Sequence, residues 1–162
     1  MNKVGILVLF GIGLWTGQHL MAQQITVTGT WTLTITEANL QNGPGSDLTD
    51  TYVSNANQVY VSIQKSGVGW FTNWYWRVDV RKSDSHWHGN FHLDVLRSGN
   101  GFGFGTITGG TSYREITDVD QSFFSGSRHR ILIGLQYRLR GVSVQIPTDT
   151  YTTTVIYTVV EL

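Results

Sequence analysis

The residues best suited to chemistry lie between positions 84 and 94, where Asp84, His86, His88, Asn90, His92 and Asp94 recur at every second position. On one continuous strand all six would share a face, opposite Trp87, Phe91, Leu93 and Val95. His86, His88 and His92 would then offer imidazole ligands to zinc or copper. The competing reading is a row of polar residues on the solvent side of a half-buried strand, broken by a turn at Gly89-Asn90. The chain has no cysteine, so the thiolate patterns of structural zinc do not apply.

A second group is aromatic: Trp70, Phe71, Trp74, Tyr75 and Trp76. Alternation assigns Trp74 and Trp76 to a core. Trp70, Phe71 and Tyr75 remain as a candidate ligand-facing patch, since exposed aromatic rings stack on sugars and are enriched where proteins meet. Catalysis finds little footing. There is no Gly-x-Ser-x-Gly elbow and no phosphate-binding loop. Asp118 and Asp120 are a pair of turn carboxylates, and such pairs are usually solvated. Gly101-Phe102-Gly103-Phe104-Gly105 is glycine-rich, but no strand-to-helix context surrounds it, so its glycines are assigned to a bulge or a close strand approach. The chain is read as non-enzymatic, and no cofactor is implied.

The elements that must carry these residues begin with a leader. Met1-Asn2-Lys3 precede an apolar run, Val4 to Trp15, and a polar stretch ending on Ala22. This is the layout of a secretory signal, with an apolar run about half the ~20 residues of a membrane span. The reading is a cleaved signal at 1–22, one domain at 23–162, and no membrane span once the signal is gone. Eleven Lys and Arg face eleven Asp and Glu. Loss of Lys3 leaves ten basic residues, a net charge of −1. A near-neutral chain without a basic stripe does not favour nucleic acid, and Arg128-His129-Arg130 is read as a solvated loop. Export permits disulfides, yet no cysteine is present, so stability must come from burial and strand pairing.

Beyond the leader, apolar residues alternate with polar ones. Ile25, Val27, Trp31, Leu33 and Ile35 predict one strand from Ile25 to Thr36, with Gly29 in an apolar slot. Val59, Val61 and Ile63 follow, then Trp74, Trp76, Val78 and Val80 with a polar turn at Lys82–Ser85. Phe91, Leu93 and Val95 return. Ile131 to Leu139, then Val142, Val144 and Ile146, then Tyr151, Thr153, Val155, Tyr157 and Val159 complete the set. Residues 114–124 have room for one helical turn. Seven or eight short strands without crossover helices predict an all-β, antiparallel β-sandwich of Greek-key, immunoglobulin-like character, with a closed β-barrel as the alternative. The strands at the two ends of the domain suit edge pairing within or between molecules. Strand exchange would use Ile25, Val27, Trp31 and Leu33, or Tyr151, Val155, Tyr157 and Val159.

The closing segment, Pro147 followed by Thr148-Asp149-Thr150-Tyr151-Thr152-Thr153-Thr154-Val155-Ile156-Tyr157-Thr158-Val159, resembles the last strand of exported bacterial pilin-like domains of the spore-coat-U type. The order of signal, immediate alternating strand and all-β body is similar too. The chain departs from that pattern at Asp149, where a glycine is usual, in lacking a disulfide, and in lacking a separate segment ahead of the first strand. The resemblance implies an envelope- or fimbria-associated structural or adhesive subunit, located in the periplasm, at the cell surface or outside the cell. Its partner would be a protein or another copy of itself. A carbohydrate-binding module and a weak metal-binding protein are the other readings.

Overall fold

Wherever the chain alternates apolar with β-branched polar residues it forms a strand, because one face of each such segment is covered. The computed structural model describes residues 22–162 and the backbone of Val4–Gly11. In chain order its strands are β1 (Val4–Gly11), β2 (Gln23–Thr28), β3 (Trp31–Ile35), β4 (Tyr52–Val53), β5 (Val59–Lys65) and β6 (Tyr75–His86). They continue with β7 (His92–Arg97), β8 (Ile107–Gly109), β9 (Arg114–Glu115), β10 (Gln121–Ser127), β11 (Arg130–Arg140) and β12 (Thr150–Glu161). One short 3-10 turn, Glu37–Asn39, is capped by the Thr36 side chain. No helix among the described residues is long and apolar enough to cross a membrane.

The strands form two sheets, ordered β3-β1-β12-β6-β10-β8 and β2-β5-β11-β7-β9, with β4 also paired to β11. Neither sheet closes on itself, so the fold is a β-sandwich and not the barrel held as the alternative. The ladders are antiparallel except β1 with β12, which run parallel. A parallel pair needs no crossover helix here, because its two strands come from opposite ends of the chain.

The core lies between the sheets. From the first sheet come Trp31, Trp76, Val78, Val80, Val155 and Tyr157, and from the second Val59, Val61, Ile63, Leu93, Val95, Ile133 and Leu135. Each large side chain buried this way contributes about 1.5–3 kcal/mol. Trp31 stacks on Tyr137 across the gap, with ring centroids 6.2 Å apart. The hydroxyls of Tyr137 and Tyr157, also on opposite sheets, lie 2.6 Å apart in a hydrogen bond. Burial pushes both phenols well above their ordinary pKa.

Several sequence expectations change. The predicted strand from Ile25 to Thr36 is two strands in different sheets, because Gly29 (φ 114°) lets the chain turn between them. A Cβ at Gly29 would lie 2.7 Å from the Gln58 carbonyl oxygen. Lys82–Ser85 is not a turn: β12 continues to pair with β6 there and carries it to His86. The segment at 114–124 holds no helical turn, since Arg114–Glu115 pairs with β7 and Gln121 onward pairs with β6. Val142 to Ile146 is a loop that drops Val142 and Ile146 into the core without a ladder. Within 23–162 the described residues form eleven strands, three of only two or three residues, where seven or eight were expected.

Candidate functional site

The segment Gly101-Phe102-Gly103-Phe104-Gly105 runs beside the start of β11 and the end of β10, and its glycines face that neighbour. A Cβ would lie 2.2 Å from the Ile131 carbonyl oxygen at Gly101, 2.2 Å from that of His129 at Gly103, and 1.8 Å from that of Ser127 at Gly105. No side chain fits, so glycine is required at every second position. The residues between must point away. Phe102 is 68% exposed and Phe104 64%.

Two kinds of contact hold the segment down. Phe102 and Ile131 exchange backbone hydrogen bonds of 2.7 and 2.8 Å. Beneath the loop two arginines, Arg97 and Arg130, are buried. Arg97 Nε donates to the Gly109 carbonyl at 2.9 Å and its terminal nitrogen to Asn100 Oδ1. Arg130 donates to the Gly105 carbonyl. Burial lowers the pKa of both guanidiniums, and the charge of Arg130 adds to the effect on Arg97. The expectation of a solvated Arg128-His129-Arg130 loop is therefore corrected. His129 and Arg130 are buried, with His129 Nε2 donating to the Val68 carbonyl and an Arg130 terminal nitrogen to that of Gly105, while Arg130 Nε is buried without a partner.

Phe71, 69% exposed, lies against Phe104 with centroids 4.7 Å apart and planes tilted by 41°. Trp70 sits over the His129 ring at 5.0 Å, and Trp74 meets the same ring edge-on at 5.6 Å. That imidazole is fixed by its neighbours: Nδ1 accepts from the Lys65 N–H and Nε2 donates to the Val68 carbonyl. Phe71 and Phe104 thus form an exposed aromatic pair, with Trp70 beside Phe71 in the chain and Phe102 exposed two residues before Phe104, and none of the four carries a charge. Tyr75, the third residue of the expected patch, is exposed at the start of β6, beside Ser127 of β10. Phe102 and Phe104 were missed as site residues. The strict Gly/Phe alternation was the available signal, with the small residue inside and the large one outside.

The histidines do not converge. His86, at the end of β6, stacks flat on Tyr151 at 5.3 Å and reaches Asp149 Oδ2 at 3.0 Å. His88 lies in the turn between β6 and β7, its Nδ1 accepting from the Asn90 N–H and its ring edge-on to Phe91 and Tyr151. His92 Nδ1 pairs with Glu115 Oε1 at 2.7 Å. Among the described residues no group of three His, Cys, Asp or Glu is placed to hold a metal ion. The Asp149 carboxyl is held below its usual range by the Thr150 N–H and by His86.

Of the strand-exchange residues, Ile25, Trp31, Tyr151, Val155 and Tyr157 are core residues, while Val27, Leu33 and Val159 pack partly buried against the core. What their strands offer a partner is backbone at the sheet edges: β2 and β3 are each terminal in the order of their sheet. A cleft of about 370 Å³ opens where β3 meets the 3-10 turn, lined by Ile35, Leu40, Leu48, Phe91, Val142 and Ile146. Of the hydroxyls nearby, that of Thr36 accepts from the Ala38 N–H and that of Ser143 donates to Asp47. No protein-family model matches the chain, and comparison with curated protein sequences finds no match.

Proposed function

We propose that this chain is an exported, non-enzymatic structural or adhesive subunit of a cell envelope, acting through its surface and strand edges. The observation that supports this reading most is the exposed aromatic group. Three glycines that tolerate no side chain force Phe102 and Phe104 into solvent, where Phe71 packs on Phe104. Apolar rings held outward by the backbone serve contact, since an exposed apolar cluster marks an interaction surface. Phenylalanine has no hydrogen-bonding group and the Phe71 and Phe104 rings are tilted by 41°, which favours an apolar protein surface over a flat stacking platform for sugar.

The test replaces Phe71, Phe102 and Phe104 with serine together and compares where the processed protein is found in the exporting cells. The expected result is retention of the native protein with the envelope fraction and release of the triple variant, while the melting midpoint is unchanged. Equal retention of both proteins would overturn the reading. Slowed migration of the purified protein on one polysaccharide, lost in the variant, would replace it with the glycan-binding one.

A further inference from the structure

The domain expected at 23–162 begins on a side chain at odds with its surroundings. In β2, alternation turns Gln23, Ile25 and Val27 to the core side and Gln24 and Thr26 outward. Ile25 is buried and Val27 packs partly buried against the core, but the remaining inward residue is a primary amide. Gln23 Nε2 is buried and, among the described residues, has no hydrogen-bond partner. Such a donor is destabilising, because its bonds to water are lost and nothing replaces them. The peptide bond before Gln23 stands at the end of the β2–β5 ladder. Ala22 is exposed there, and its carbonyl accepts from the Ser66 N–H at 3.2 Å and from Ser66 Oγ at 3.3 Å.

We propose that Gln23 is a modification site: once the leader is removed after Ala22, the Gln23 side chain closes on its own α-amine and the domain begins with a pyroglutamyl ring. This rests on the exported-subunit reading above. The α-nitrogen attacks Cδ of the same residue. The N–Cδ bond forms, the Cδ–Nε2 bond breaks, and Nε2 leaves as ammonia with a proton taken from the amine. No electron is transferred and no co-reactant is consumed. Both reacting groups belong to one residue, so the attack is intramolecular. Two features of the structure favour the closed product over the open end. The atom expelled is the buried nitrogen that has no partner. Closure also removes the positive charge that processing creates on the α-amine. That charge would stand at the register position opposite Lys65, itself a cation, whose ammonium already pairs with Glu161. Like charges facing each other across a ladder are unfavourable.

The experiment expresses the full chain in exporting cells, purifies the processed protein and measures its mass, intact and as the N-terminal peptide. The expected mass is that of residues 23–162 less one ammonia. Sequential degradation from the amino end should be blocked until a pyroglutamyl peptidase exposes Gln24. Gln23→Glu, which can close only by losing water, should keep its free amine under the same conditions. Gln24→Ala, at an exposed position, should close as the parent does. The open form, separated by cation exchange from freshly processed protein, should melt at least about 3 °C below the closed form. A processed chain that begins at Gln23 with its amine intact overturns the inference and leaves the export reading standing. So does a closed form that melts no higher than the open one, or a mature chain that begins at another residue. A chain that keeps residues 1–22 removes both. A closed ring on a protein whose triple phenylalanine variant is still held by the envelope keeps this inference and removes the functional reading.

Discussion

Replacing Asp94 with asparagine tests the electrostatic clamp at one end of the second sheet. Asp94 is 1% exposed on β7 and accepts three hydrogen bonds from β11: Arg138 Nε at 2.8 Å, Arg140 Nε at 2.7 Å and Arg140 Nη2 at 3.1 Å. Burial alone would raise its pKa, but Arg140 and Arg138 outweigh it and hold the carboxyl below the usual range. Breaking a buried pair from one side costs about 3–5 kcal/mol. Both arginines are about a third exposed, and Arg140 keeps Glu115 at 3.1 Å, so water and Glu115 take up part of the loss. The low end, about 3 kcal/mol at pH 7, is expected. Because the folded pKa lies below the unfolded one, this stability is present above the unfolded value near 3.8 and is lost as pH falls through the folded value. Urea denaturation of wild type and Asp94→Asn at pH 7, 4.5 and 2.5 should show a gap that is widest at pH 7 and narrows at pH 2.5. A gap under about 1 kcal/mol at pH 7, or one that does not change with pH, would refute the reasoning.

Two further substitutions probe close packing. Gly103→Ala forces a methyl against the His129 carbonyl at a backbone φ of 149°, and should cost about 2–3 kcal/mol in urea unfolding. Phe104→Ala on the same segment should cost under about 0.5 kcal/mol, because the ring faces solvent. Gly126→Ala places a Cβ 2.6 Å from the Trp76 ring and 2.6 Å from the Thr106 carbonyl oxygen, an overpacking worth about 1–3 kcal/mol. Combined with Trp76→Phe, which removes the ring atoms in the way, its cost should fall by at least about 1 kcal/mol in a double-mutant cycle. Strict additivity would show that Thr106, and not the indole, sets the limit.

How much was legible depended on whether a residue's letter implied its side of the sheet. At Val59–Ile63, Trp74–Val80, Ile133–Leu139 and Tyr151–Tyr157 every second residue turns inward and all but Thr153 are apolar, and period two located them although Tyr60 and Tyr75 lie on the outer face. The same rule failed at Gly101–Gly105. There the inner face meets backbone so closely that only hydrogen fits, and the phenylalanines occupy the face that polar residues normally take. It failed again at Gly29, where an unbroken alternation spans a change of sheet because both sheets bury the same face of the chain. His129 and Arg130 read as solvated because charge pattern carries no information about which carbonyls a fold brings near. The histidine row was divided by the turn after His86, which sends His92 to Glu115 on a different strand. Val4–Gly11 reads as a leader from its composition, and nothing in that composition reveals a place in a sheet.

The position of β12 has a mechanical consequence. In the chain that retains residues 1–22 it is flanked on both sides, by β6 over ten register pairs and by β1 over seven, and it ends next to Leu162. Hydrogen bonds between strands lie across the strand direction. A tether attached at Leu162 and pulled along β12 therefore loads the whole ladder in shear, and its bonds must yield together. A load that lifts β3 away from β1 meets only five pairs, which can open one after another. Traction along the chain and traction across the sheet would thus rupture the same molecule at very different forces, with the C-terminal strand as its tensile member.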